Sequence, residues 1–165
     1  MHPTDRDRAT DLDHDALRPS ATDWDHPADP HPGWQRDHVT TYAATAGTDG
    51  HIWHGVPTLL LTTAGRVTGR AYRTALIYGE DEGVYITAAS GGSSADHPDW
   101  YRNLLACPEV RLQIGADVFA AKGRPATADE RDTYWGIMTG LWPAYEDEQE
   151  RTEREIPLVL FERAQ

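Results

Sequence analysis

The sequence predicts an α+β fold, mainly β: an antiparallel barrel of about six strands with about four helices packed outside it. Three observations carry that expectation. Apolar runs of strand length recur from residue 57 onward. Several consecutive runs are separated by hairpin-length turns. The helical stretches are short, and each brings its own start or stop residue. A doubly wound parallel sheet would instead place a helix between successive strands, which this order does not supply.

Taken in order, Trp34 to Ala46 reads as a short amphipathic helix that Gly47 stops, with Asp49-Gly50 turning the chain. Pro57 to Thr63 is a compact apolar run and the first strand. Gly65 to Arg70 is a turn, and Tyr72 to Tyr78 the second strand. Asp81-Glu82-Gly83 makes a hairpin into a third strand, Val84 to Ala89. Residues 90–96 form a Gly/Ser loop, and Pro98 suits the first turn of a helix running to about Ala106. Cys107-Pro108 ends that helix. Glu109 to Ile114 and Asp117 to Arg124 alternate as two strands around Gly115-Ala116. Thr127 and Glu130 have capping-box spacing and start a helix through Gly140. Pro143 starts another to about Arg154, and Ile156 to Phe161 closes the barrel.

Composition divides the chain near residue 33. Residues 1–33 hold eight Asp, four His, five Pro and three Arg, with few large apolar side chains. Such a segment buries too little surface to offset chain entropy, so 1–33 is expected to be a disordered, dispensable arm and 34–165 the folded domain. His2, His14, His26 and His31 are irregularly spaced, which fits a solvated tail better than a metal site. His51 and His54 lack a third ligand at useful spacing and read as packing or turn polarity, so no metal is expected. Cys107 is the only cysteine and excludes an internal disulfide. A net charge of −12 disfavours a nucleic-acid partner. No apolar run approaches the length of a membrane span, and without a signal-like start the expected address is the cytoplasm.

The chemistry concentrates in two loops. Arg66, Arg70 and Arg73 bring three positive charges into a glycine-containing turn between strands. In an acidic protein that suggests a pocket for phosphate or carboxylate, against the alternative of arginines solvated on a hairpin. It is neither a Walker loop nor a Rossmann fingerprint. Ala89-Ser-Gly-Gly-Ser-Ser94 precedes a helix start, where small residues let backbone N–H groups approach an anion. Ser90 is not in a Gly-x-Ser-x-Gly elbow, so hydrolysis is disfavoured. Trp100, Tyr101 and Asn103 follow on the next helix. Trp135, Trp142 and Tyr145 lie late in the chain, and Trp142-Pro-x-Tyr145 sits at a helix break where either core or a pocket wall could form.

Five motifs then recur in order: Leu60-Leu-Thr-Thr-x-Gly-Arg-x-Thr-Gly, Ala88-Ala-Ser-Gly-Gly, His97-Pro-x-Trp-Tyr-x-Asn-Leu104, Trp142-Pro-x-Tyr145 and Gln149-x-Arg-Thr-x-Arg-Glu-Ile-Pro157. Together they closely resemble the deazaflavin-dependent nitroreductase family of actinobacteria, whose members use coenzyme F420. The likeness runs from about residue 34 to 163. It implies a split β-barrel like that of FMN-binding oxidoreductases. It also implies hydride transfer from reduced F420 to an enone, quinone or nitroaromatic acceptor.

The implied cofactor contacts are Arg66, Val67, Thr68, Arg70, Tyr72, Arg73, Thr74, Ala75 and Leu76 for the phosphate and polyglutamate tail. Ala88, Ala89, Ser90 and Gly91 would lie near the deazaflavin ring, with Trp100, Tyr101 and Asn103 lining the site. Ser90, Tyr145 and Trp142 are the implied catalytic-side residues. Val67, Tyr72 and Gly91 are neutral where members commonly carry a cation, and Trp142 and Glu148 stand where the best-known nitroreductase type has tyrosines. The alternative reading is a deazaflavin or flavin carrier without turnover, and FMN fits the tail-binding hairpin less well than F420 does. The expected partner is a small-molecule acceptor, a quinone bringing the protein to a membrane surface; monomer and homodimer both stay open.

Overall fold

The computed structural model describes residues 21–91 and 95–165. They form four helices, α1 (Trp34–Ala44), α2 (Asp99–Ala106), α3 (Ala128–Leu141) and α4 (Ala144–Glu150). The strands are β1 (Ile52–Trp53), β2 (Val56–Ala64), β3 (Ala71–Ile77), β4 (Gly79–Asp81), β5 (Val84–Ala88), β6 (Glu109–Ile114), β7 (Asp117–Pro125) and β8 (Leu158–Arg163). All strand pairings are antiparallel, as the turn spacing predicts. Strands β1 and β4 were not expected. They are two and three residues long, too short for any periodic signal.

Strand β2 is the hub, pairing with β1, β3 and β6, and the ladder continues β6–β7–β8–β5–β4. β3 and β4 therefore stand at opposite ends of the sheet, yet only Tyr78 separates them in the chain. The sheet must curl until its ends meet there. The result is a barrel that stays split where β3 and β4 do not pair.

The apolar run of β2 reads as continuous because both of its faces are covered. Leu59 and Leu61 enter one cluster with Tyr101 and Leu104 of α2 and with Leu112, Val159 and Phe161. Leu60 faces the other way, onto Val39 and Tyr42 of α1. Tyr42 is fully buried and donates its hydroxyl to the Thr58 carbonyl at 3.0 Å, while the Gly115 N–H donates to it at 2.9 Å. A second cluster joins Ile86 and Ala88 of β5 and Leu158 and Leu160 of β8 to Met138 of α3 and Tyr145 of α4. Alternate residues at the end of β5 thus face different layers: Ala88 looks toward α3 and α4, Ala89 toward α2.

The predicted capping box is present. Glu130 N–H donates to Thr127 Oγ1 at 3.3 Å, and Thr127 N–H donates to Glu130 Oε1 at 2.8 Å. Helix α4 stops at Glu150, short of the expected Arg154. The chain beyond it is held by Gln149, whose Oε1 accepts from Ile156 N–H at 2.8 Å and whose Nε2 donates to the Arg154 carbonyl at 2.9 Å.

Residues 1–20 of the proposed arm, with His2 and His14, lie outside the described residues. Its remainder, 21–33, differs from a free tail. Ala28 N–H donates to the Ala71 carbonyl and Arg73 N–H to the Ala28 carbonyl, both at 2.8 Å, making a short bridge along the outer edge of β3. Thr22 is buried and donates to the Gly69 carbonyl at 2.9 Å. Trp24 lies under the Arg111 guanidinium, 4.4 Å from its ring centre. Averaged composition cannot show this, because a few contacts at an unpaired strand edge suffice to hold a polar segment.

Candidate functional site

The β2–β3 hairpin builds one wall of a cleft of about 620 Å³. Gly65 N–H donates to the Arg70 carbonyl at 2.7 Å and Gly69 N–H to the Gly65 carbonyl at 2.9 Å. Gly69 is left-handed at φ +73°, a conformation that favours glycine. Gly65 carries the Tyr72 ring against its backbone: a Cβ there would come within 2.5 Å of a ring carbon. Tyr72 and Thr68 share a hydroxyl–hydroxyl hydrogen bond of 2.8 Å, which ties the turn to the strand. Thr63, Arg66, Val67, Thr68, Tyr72, Arg73 and Thr74 face the cleft from this hairpin, and Asp99, Trp100 and Asn103 close it from α2.

Asn103 is buried and fully engaged. Its Oδ1 accepts from Arg66 N–H at 3.2 Å and from Arg66 Nη1 at 2.8 Å, and its Nδ2 donates to Thr63 Oγ1 at 3.2 Å. It fixes the hairpin on α2 through its carbonyl oxygen and one of its two amide hydrogens. The three arginines differ in what they offer. Arg66 also reaches Asp99 at 3.3 Å. Arg73 donates Nε and Nη2 to the Asp29 carboxylate at 2.8 and 3.1 Å. Arg70 is exposed, and its guanidinium has no partner among the described residues. The cation cluster legible in the sequence is therefore real in position but largely neutralised by two aspartates.

The Gly/Ser loop is anchored from an unexpected side. Arg154 Nη1 donates to the Ala89 carbonyl at 3.1 Å and to His97 Nδ1 at 3.2 Å, and Nη2 donates to the Ser90 carbonyl. His97 must be neutral at that nitrogen to accept. Burial lowers its pKa first, and the Arg154 and Arg102 charges lower it further. Gly92, Ser93 and Ser94 lie outside the described residues. Ala88 and Ala89 are core, Ser90 is half-buried, and Gly91 is exposed at φ +61°.

On the far side of β5, Tyr145 is 6 % exposed among Ile86, Met138 and Leu158. Burial pushes its phenol well above the ordinary tyrosine range, and the nearby Glu148 charge adds to the shift. Glu148 Oε2 is itself buried without a hydrogen-bond partner among the described residues. Trp142, half-buried, meets the Trp53 ring at 5.4 Å and His54 at 6.5 Å. Trp34 stacks on the opposite part of that group, 5.6 Å from Trp53 with the planes 8° apart. His51 contacts the Tyr78 hydroxyl at 3.1 Å, so the two histidines of the His51-to-His54 stretch serve packing and turn polarity.

The model of one family, described as F420H(2)-dependent quinone reductase, matches residues 34–163. The chain belongs to that family. It is 35% identical over 132 residues to the F420H(2)-dependent quinone reductase Rv1261c of Mycobacterium tuberculosis, covering 78% of this chain and 89% of that one. A solved structure of an F420-H2 dependent reductase, FDR-A, superposes with a TM-score of 0.60 at 34% identity, over 64% of this chain and 94% of that one. Another, described as a domain-swapped dimer, gives a TM-score of 0.64 at 30% identity over 76% of this chain and 92% of that one. The split-barrel fold expected from the motifs is thus that of its relatives. The family description names a quinone, one of the three acceptor classes considered, rather than a nitro compound.

Set against the cleft, the residues expected from the motifs fall into two groups. Arg66, Val67, Thr68, Tyr72, Arg73, Thr74, Trp100 and Asn103 converge on one cavity. Ala75 packs toward α1, and Leu76 and Tyr101 pack in the α2 core. Arg70, Ala88, Ala89, Ser90, Gly91, Trp142 and Tyr145 are not among the cavity's lining residues. Sequence reasoning missed Thr63, Asp99, Arg154 and the 28–31 segment. Arg154 lies within the Gln149-to-Pro157 motif, and its position four residues before the closing strand was the available signal. No signal marked Asp29 among eight similar aspartates.

Proposed function

We propose that this protein binds coenzyme F420 in the hairpin cleft and passes a hydride to a quinone. The observation that carries the proposal is the convergence of the Arg66–Arg73 hairpin and α2 on one cleft of about 620 Å³. That is a size suited to a cofactor-class ligand. The donor set fits the group: a partly free Arg66, the Thr74 hydroxyl and the Trp100 ring line the cleft and suit a phosphate-bearing aromatic molecule, and Arg70, exposed on the same hairpin, adds a positive charge outside the lining.

The hydride chemistry belongs to the deazaflavin ring when it is bound, so the chain's own work is binding, orientation and exclusion of water. Arg70 and Arg66 would hold the anionic tail, and Asn103 would keep the hairpin at its working distance from α2. The small residues Ala88 to Gly91 allow close approach at the end of β5, with Arg154 fixing the loop from behind. Trp142 and Trp53, their planes 38° apart, would offer apolar ring surface to a planar acceptor. Tyr145, with its pKa raised by burial, keeps its proton on Oη at neutral pH, so its part would be to donate a hydrogen bond rather than to surrender the proton.

The carrier reading retains one supporting observation: Tyr145 is packed as core and stands off the cleft. Titration of the protein with F420, FMN and FAD tests the binding half of the proposal. F420 binding much tighter than either flavin supports it, and preference for FMN or FAD overturns it.

A further inference from the structure

We infer that residues 22–31 form a strap that sets how much negative charge the cleft accepts, with Asp29 as its specificity-determining residue. The inference rests on the F420-binding reading above. The strap is held along its length: Thr22 on the Gly69 carbonyl, Ala28 on both backbone groups of the β3 edge, and Trp24 under Arg111. It brings Ala28 to His31 into the wall of the cleft that α2 also lines.

Asp29 is the one acidic group of the strap on that wall. Its carboxylate takes Nε and Nη2 of Arg73 in a bidentate pair, and the two side chains are only 16% and 21% exposed. Such a pair is weakly screened and geometrically fixed. An incoming phosphate or carboxylate therefore meets an Arg73 that has already committed two of its five N–H donors, and its charge, to Asp29. It also meets a fixed negative charge beside it. Asp99 acts similarly on Arg66, though its side chain is 83% exposed and can swing away or be screened. Asp29 has no such freedom, because the backbone bridge at Ala28 holds it in place.

The consequence is selective for ligand charge. A carboxylate fixed in the wall raises the cost of each added negative charge on the ligand tail and leaves a neutral ring unaffected. The cleft would then admit a deazaflavin with a short or lightly charged tail more readily than the three arginines alone would suggest. The neutral residues Val67 and Tyr72, which also line it, push in the same direction.

The test is a binding titration, followed by fluorescence at two salt concentrations, on wild type, Asp29→Asn, Arg73→Ala and the double variant. The ligands are F420 and FO, the precursor that lacks the phosphate and glutamates. Asparagine keeps the shape and one hydrogen bond, and a thermal melt checks that each variant folds. Asp29→Asn should tighten F420 about five- to tenfold at low salt. The gain should shrink at high salt, and FO should be unchanged. Arg73→Ala should weaken F420 in both backgrounds, because in wild type it leaves the Asp29 carboxylate unpaired in the wall and in Asp29→Asn it removes the released guanidinium, and the double variant should bind F420 more tightly than Arg73→Ala alone. Weakened F420 binding in Asp29→Asn, or equal effects on F420 and FO, would overturn the strap's role while leaving the cofactor assignment intact. If wild type binds neither ligand, the cofactor assignment itself fails and the strap inference with it.

Discussion

Replacing Arg154 with alanine removes the guanidinium that holds the Ala89 and Ser90 carbonyls and His97 Nδ1. Hydrogen bonds to a charged group contribute roughly 1.5–3 kcal/mol each. The Ser90 end can recover part of its bond from water, but Ala89 is fully buried and recovers less. A net loss of about 2–4 kcal/mol follows, which lowers Tm by about 5–12 °C in a chain of this size. Arg154→Lys should restore part of it, since one ammonium cannot reach both carbonyls and the imidazole in the same geometry. The loss should also change the pH response. His97 has a folded pKa below its unfolded value, so the unfolded chain takes up the proton first and stability falls as pH drops from about 6.5 through the lower folded value. Burial causes most of that shift, and the Arg154 charge adds to it. The alanine variant should therefore lose stability less steeply across that window. Thermal melts from neutral to mildly acidic pH read both effects. A variant that melts with wild type, with an unaltered acid slope, would refute the assignment of Arg154 as the loop's anchor.

Three further outcomes are expected. Tyr145→Phe should leave F420 affinity intact and reduce quinone turnover about tenfold or more, if the hydroxyl donates to the acceptor; unchanged kcat with a lowered Tm would make it a core aromatic only. Deleting residues 1–20 should leave the melt unchanged, whereas deleting 1–33 removes the bridge to β3 and should lower Tm by about 4–10 °C, and equal melts would show that the strap contributes nothing. The Glu130 pKa is held at about 2, first by the hydrogen bond from Arg124 and then by the Thr127 N–H. Its stabilisation is present above the ordinary carboxylate value of about 4.3 and is lost as pH falls toward 2, so Glu130→Gln should flatten acid unfolding in that window; an unchanged acid transition contradicts it.

Local chemistry explains which parts of the molecule are legible in the sequence. Six strands are set by apolar runs and turn residues, and the α3 cap by the Thr127–Glu130 spacing, so each can be read from a window of a few residues. β1 and β4 pair with the next strands in the chain, β2 and β5, but over only two and three residues, and a window that short carries no periodic signal. The cleft shows the same division. The Gly65–Arg70 turn and its cations are local and readable. Their neutralisation is not, because Asp29 reaches Arg73 across 44 residues of chain and Asp99 reaches Arg66 across 33. Tyr145 shows a different limit. A tyrosine at a helix break suits a pocket wall equally well, and only the packing of Ile86, Met138 and Leu158 around it decides that its ring is buried. For the segment 22–31, acidic composition describes its average character, while the exposed edge of β3 decides where it lies.

The central claim, hydride transfer from F420 to a quinone, is tested most directly by mixing the full-length protein with reduced F420 and menadione under anaerobic conditions. Oxidation is followed by the return of deazaflavin absorbance. The account predicts saturable oxidation that requires both protein and quinone. Tight F420 binding with no oxidation above the uncatalysed rate would contradict it and assign the protein to cofactor carriage.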